Sequence, residues 1–109
     1  GPPASGQMAR ELSWSPEAVE DIEAIASFIE RDSPWYAQVV ASRLVEVAQS
    51  IPEFPAIGRI VPEIDNSDIR ERFVYDYRVI YRVEPARIVI AAVVHGRRLL
   101  EPRIPGIEG

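Results

Sequence analysis

Apolar residues recur every three or four positions from Val19 to Ile29: Val19, Ile22, Ile25, Ala26 and Ile29, with Glu20, Glu23, Ser27 and Glu30 between them. That spacing predicts an amphipathic helix whose stripe needs a cover. The spacing returns in Val40, Leu44, Val47, Ala48 and Ile51. Ser15-Pro16 and Ser33-Pro34 mark the two starts, since a hydroxyl caps free backbone N–H groups and proline presets the first helical dihedral. The first helix stops at Arg31-Asp32 and the second near Ser50, so the pair forms an antiparallel hairpin.

Further on the period changes to two. Tyr77, Val79, Tyr81 and Val83 fall on one face of a strand, and Arg78, Ile80 and Arg82 on the other. After a tight connection at Glu84-Pro85-Ala86, the run Arg87–His95 is apolar almost throughout and ends at Gly96. It reads as a strand covered on both faces. Shorter strands are expected at Glu11–Trp14, Arg59–Ile64 and Ile69–Tyr75. Turns are expected at Asp65–Asp68 and at Asp76. Pro52 and Pro55 keep Ile51–Gly58 out of a helix. The order β-α-α-β-β-β implies an α+β fold, with an N-terminal helix hairpin packed on a twisted, mostly antiparallel four-stranded sheet. Residues 8–100 read as a single domain. Gly1–Gln7 reads as a flexible cloning remnant before Met8, and residues 101–109, with two prolines and two glycines, as an irregular tail.

Composition narrows the chemistry. No apolar run approaches the ~20 residues that span a bilayer, and the first residues carry no secretory signal. With no cysteine and one histidine, the chain offers no disulfide or thiol nucleophile and too few ligands for a zinc site. The expected setting is the cytoplasm, without metal or cofactor. Lysine is absent, so every side-chain cation is a planar guanidinium able to pair bidentately with carboxylate or phosphate. Four arginines stand against eleven acids from Met8 to Ser67, but eight against five from Asp68 to Arg103. The net charge of −5 argues against strong non-specific nucleic-acid binding. An anionic partner would be met locally, on the strand-rich half.

The end of the last strand delivers His95, Arg97 and Arg98 to a loop beside glycine, a common place for binding groups, and the arginines are expected to gather at that rim. Arg78 and Arg82 admit two readings: a solvated face with surface ion pairs to Glu71 or Glu84, or contacts to a partner's carboxylate or phosphate. His95 is either a structural cap or a base, its ordinary pKa lying near ~6.5. Tyr75, Tyr77 and Tyr81 are expected to pack in the sheet rather than to stack on bases. Trp35 is an anchor for the helix turn if covered, and marks a partner groove if exposed.

The series SPEA…DIEAIASFIERDSP…FP…GR…IRERFVYDYRVIYRV…IVIAAVVHGRR resembles the RelE/ParE toxins of bacterial type II toxin–antitoxin modules over roughly Leu12 to Leu100. The resemblance implies a growth-inhibiting protein neutralised by a cognate antitoxin laid across it, with promoter DNA reached only through the antitoxin. It leaves two mechanisms. RelE-like members cleave mRNA on the ribosome, which calls for a base at the 2′-hydroxyl, cations on the phosphate and an acid for the leaving oxygen. By motif position Arg78 matches the strand arginine, Arg97 or Arg98 that of the last turn, and His95 would be the base. The tyrosine that follows in RelE-like members is replaced by Leu99-Leu100-Glu101-Pro102, and the lysines are missing. ParE-like members lack a nuclease site and poison DNA gyrase; the DSPxxA helix start and FPxxGR before a strand are similar to theirs. The expected function is therefore gyrase binding without catalysis, with Arg70, Arg72, Arg78, Arg82, Arg97, Arg98 and Trp35 as contacts to target or antitoxin. The alternatives are a ribosome-dependent endoribonuclease using Arg78, His95 and Arg97, or an inactive orphan that keeps only antitoxin binding.

Overall fold

Each helix begins where a serine hydroxyl can accept the free N–H three residues on. Ser15 Oγ takes Ala18 N–H at 3.0 Å and Ser33 Oγ takes Tyr36 N–H at 3.1 Å, each with proline at the next position. The computed structural model describes residues 10–97. Their elements are β1 (Glu11–Trp14), α1 (Pro16–Glu30), α2 (Pro34–Ser50), a 3-10 turn at Ile51–Glu53, β2 (Arg59–Ile60), β3 (Ile69–Val74), β4 (Tyr77–Val83) and β5 (Arg87–His95). The strands form one sheet in the order β1-β5-β4-β3-β2. It has five strands rather than four, and its one parallel pair is β1 with β5. The expected remnant at 1–7, the tail at 101–109, and Arg98 lie outside the described residues. Among the described residues no helix is long and apolar enough to cross a membrane.

The sheet separates two apolar clusters. On the helix side Leu44, Val47 and Ile51 pack with Val79, Tyr81 and Ile90; on the far side Val61, Ile69, Ile80, Ala92 and Val94 pack with Ile64 from the loop after β2. The period of two in β4 divides the faces as the alternation predicts. β5 changes face midway: Tyr81 pairs with Ile90 but Ile80 with Ala92, leaving Ala91 as a bulge. The Ser15 hydroxyl donates to the freed Ala91 carbonyl at 3.0 Å while capping α1, and Asp21 of α1 accepts from Val93 N–H at 2.9 Å. Past the end of β1, helix side chains therefore satisfy the outer edge of β5 and close it to strand pairing.

Three local expectations are corrected. β2 ends at Ile60, not Ile64, because Pro62 has no N–H for a ladder and the chain turns so that Ile64 and Asp65 N–H bond to Val61 O. β3 ends at Val74; Tyr75 takes φ 54 and forms the turn with Asp76. Val19 is 43% exposed, and Ala18 beside it fills the core position instead.

The FPxxGR stretch is a stitch between connector and sheet. The Tyr81 hydroxyl accepts Gly58 N–H at 2.9 Å and donates to Pro55 O at 2.8 Å. A Cβ on Gly58 would stand 2.5 Å from Glu71 O and 2.7 Å from that hydroxyl, so only glycine lets the connector lie this close.

Leu44→Ala, at a position with no exposed surface, is expected to cost about 2–5 kcal/mol, read as a drop of about 8 °C or more in thermal midpoint at about 4–8 °C per kcal/mol. Val19→Ala should change the midpoint little. Tyr81→Phe leaves Gly58 N–H without its acceptor and is expected to cost about 1–3 kcal/mol by urea unfolding.

Candidate functional site

The even positions of β4 meet a roof of loop on the far face of the sheet. Arg78 is 3% exposed there. Its Nε donates to Glu71 of β3 at 2.6 Å, and its two terminal nitrogens donate to both Glu63 oxygens at 2.9 Å each. Glu71 is 1% exposed and also receives Arg59, whose guanidinium lies 5.2 Å from the Phe73 ring. Glu63 comes from the loop after β2, so the bidentate pair fastens that loop over the sheet. Its hydrogen bonds raise the Arg78 pKa above the ordinary value against the lowering effect of burial, with Glu71 adding to the rise. The sequence names Glu71 as a partner for Arg78, but on a solvated face; the structure buries the pair. Glu63 is missed, because fifteen residues and a turn separate it from Arg78.

Arg82, on the same face, pairs with Glu84 at 2.9 Å as one of the two expected readings has it. Glu84 also binds Arg87 at 2.7 Å, and these cations, Arg87 foremost, hold its carboxyl below the usual range. Arg70 and Arg72 project from β3 to the helix side. Among the described residues Arg70 bonds only carbonyls, Ser67 O at 3.1 Å and Gly58 O at 3.0 Å. Arg72 is half-buried and makes no hydrogen bond or ion pair among the described residues.

At the far end of β5, His95 and Arg97 are exposed. Arg97 N–H donates to His95 Nδ1 at 3.2 Å, leaving Nε2 to carry the ring proton, and the His95 ring lies edge-on 5.8 Å from Tyr77. His95 pairs with Tyr77, while Arg78 pairs with Val94. The ring and the Arg78 guanidinium therefore occupy opposite faces of the sheet. The expected single rim of arginines is not formed: Arg78 and Arg82 lie behind, Arg70 and Arg72 in front, and Arg97 at one end.

Trp35 is the residue whose exposure changes its reading. It is 73% exposed at the start of α2, and Tyr75, at the β3–β4 turn, is 54% exposed rather than packed in the sheet. Both line a groove of about 360 Å³ with Val39, Ser42 and the Arg43–Glu46 ion pair. Tyr36 bridges to Tyr75 with ring centroids 6.4 Å apart. Nothing local in the sequence joins Tyr75 to α2. Among the described residues no group of three or more His, Asp or Glu could hold a metal ion.

Residues 12–100 match the family model for the ParE toxin of the type II toxin–antitoxin system parDE. Toxin RelE2 of Caulobacter vibrioides is 32% identical over 90 residues, covering 82% of this chain and 98% of that protein. The fold is also similar to a chain of the chromosomal ParDE system from P. aeruginosa, with TM-score 0.67, 19% identity, and 80% of this chain and 96% of that one covered. It is similar to a mutant E. coli RelE in the free state, with TM-score 0.60, 17% identity and coverages of 83% and 86%. The toxin–antitoxin complex RelBE2 of Mycobacterium tuberculosis supplies a third likeness, with TM-score 0.59, 17% identity and coverages of 81% and 99%.

Arg78→Ala would strand Glu71 as a buried charge with one cation removed, so it is expected to destabilise by about 3–5 kcal/mol. Arg78→Met with Glu71→Leu should recover most of that loss in urea unfolding, because the pair is removed together. A double variant no more stable than the single one would contradict this account.

Proposed function

The chain belongs to the ParE toxin family of type II toxin–antitoxin systems, and we propose that it arrests growth by binding DNA gyrase rather than by cutting RNA. The fate of Arg78 carries this reading. A nuclease of the kind the RelE resemblance describes needs that guanidinium at a phosphate, beside a base and a second arginine. Here Arg78 is spent on two carboxylates under a loop, and His95 lies across the sheet from it. Bringing Arg78 to a phosphate would mean opening the roof, leaving the buried Glu71 with Arg59 alone and taking the guanidinium from Glu63, a penalty of several kcal/mol before any substrate binds. What stays accessible is a set of binding groups: Trp35, Tyr75 and Phe73 and the exposed Arg97, with the half-buried Arg72 free of any carboxylate among the described residues. A protein target is met by such a surface, with aromatics and arginine as anchors. In this reading a cognate antitoxin holds the toxin inactive, and promoter DNA is contacted through the antitoxin.

The 32% identity to a protein named RelE2 favours the second reading, cleavage of mRNA on the ribosome, and one pair of assays separates them. Purified toxin at micromolar concentration is expected to inhibit supercoiling by gyrase and to leave mRNA intact in a translation extract. Cleavage of mRNA that disappears in His95→Ala and Arg97→Ala, with gyrase unaffected, would overturn the proposal. Arg78→Ala is unsuited to this test, because its effect on folding would mask any effect on chemistry.

A further inference from the structure

Asn66 is the only asparagine in the sequence. It stands in the exposed turn Asp65-Asn66-Ser67-Asp68, which joins the loop over Arg78 to β3. Its Oδ1 accepts Asp68 N–H at 2.9 Å. A side-chain bond to the amide two residues on closes a ring that holds the carboxamide carbon near the intervening peptide nitrogen, here that of Ser67. Ser67 N–H makes no hydrogen bond among the described residues. Ser67 O accepts Arg70 Nε–H at 3.1 Å, which steadies that residue from its other side and brings a guanidinium close.

These are the parts of an intramolecular acyl transfer. A peptide nitrogen with no hydrogen bond gives up its proton at least cost, and its attack on a carbonyl held beside it needs no encounter. Asp68 N–H polarises that carbonyl and receives the charge that develops on Oδ1. Asp65 and Asp68 oppose a negative nitrogen, but both are exposed, so their fields are screened, and Arg70 acts in the opposite sense.

We propose that Asn66 is a site of spontaneous covalent modification, in which the Ser67 nitrogen displaces ammonia from the Asn66 side chain. The nitrogen gives its proton to hydroxide and bonds to Cγ, closing an imide ring, while the amide nitrogen takes a proton from water and leaves as ammonia. Water then opens the ring. Opening at Cγ leaves aspartate; opening at the α-carbonyl leaves isoaspartate, whose main chain runs through Cβ and Cγ. Aspartate keeps an oxygen for Asp68 N–H and adds only charge. Isoaspartate takes out of the main chain the carbonyl that accepts Ile69 N–H at 2.9 Å, while Ile69 O holds Val61 N–H at 3.2 Å. Val61 and Ile69 are buried together beneath the loop that carries Glu63, so this product loosens the roof over Arg78. The site goes beyond the toxin reading and stands whether or not gyrase is the target.

The test incubates the full chain at mildly alkaline pH in heavy-oxygen water and follows it by peptide mapping. The expected product is a labelled acid at residue 66, formed at least as fast in the folded protein as in the same chain unfolded in guanidinium. Asn66→Gln, which would have to close a larger ring, and Ser67→Val, whose branched side chain crowds the nitrogen, are expected to slow the change about ten-fold or more, with circular dichroism unchanged. An Asn66 that survives in the folded protein but not in the unfolded chain would overturn the proposal, because the turn then protects the amide. An undiminished rate in Ser67→Val would sink it as well, since the nitrogen then takes no part. The isoaspartate form, separated by chromatography and identified with an isoaspartyl methyltransferase, should exchange Val61 N–H faster than the Asn66→Asp variant. Equal exchange in the two would refute the effect on the loop.

Discussion

The period of two in β4 governs most of what this molecule can do. Val79 and Tyr81 must face the helices because the hairpin has an apolar stripe to cover. Arg78 and Ile80 are then obliged to face the other way. That face is not left to water, since the loop after β2 lays Val61 and Ile64 against Ile80. A guanidinium trapped under such a roof cannot remain without counter-charge, so Glu71 and Glu63 are drawn in with it. One alternation thus decides both where the core lies and why Arg78 is part of the framework.

The bulge at Ala91 is the matching device in β5. A regular strand would send Val93 to the rear and Ala92 to the helices, placing the larger side chain away from the hairpin. The extra residue reverses this, and the carbonyl it frees is taken by the Ser15 hydroxyl. The same serine caps α1, so helix start and strand irregularity are joined at one atom. Asp21 takes the next free N–H of the strand. An edge that would otherwise recruit a foreign strand is closed by the element whose sequence most plainly announces a helix.

Much of this was legible in the residues. Ser-Pro pairs report helix starts because capping is local, and the alternation in Tyr77–Val83 reports two faces because strand geometry is local too. The α2 stripe at Val40, Leu44 and Val47 was legible for the same reason. What escaped depends on contacts between segments distant in sequence. Whether Arg78 is solvated is decided by Glu63, and whether Tyr75 packs is decided by a turn that needs φ 54. The shortening of β2 turns on Pro62, visible in the sequence but silent about where the chain goes next. Arginines grouped in sequence were expected to be grouped in space; alternation and strand order disperse them.

That dispersal bears on function. Catalysis of RNA cleavage concentrates several groups on one phosphate, whereas binding can draw on groups spread along a surface, provided its centre excludes water. In the proposed reading the described residues follow the second pattern. Several of their charged groups satisfy one another: Arg78 with Glu71 and Glu63, Arg59 with Glu71, Arg82 and Arg87 with Glu84, and Arg43 with Glu46. On the helix side Arg72 has no carboxylate among the described residues, and Trp35 and Tyr75 are exposed. Exposed aromatic surface of this kind is tolerated where a partner buries it. In the proposed reading the buried Arg78 and Glu71 serve the framework, and the exposed aromatic groups serve recognition.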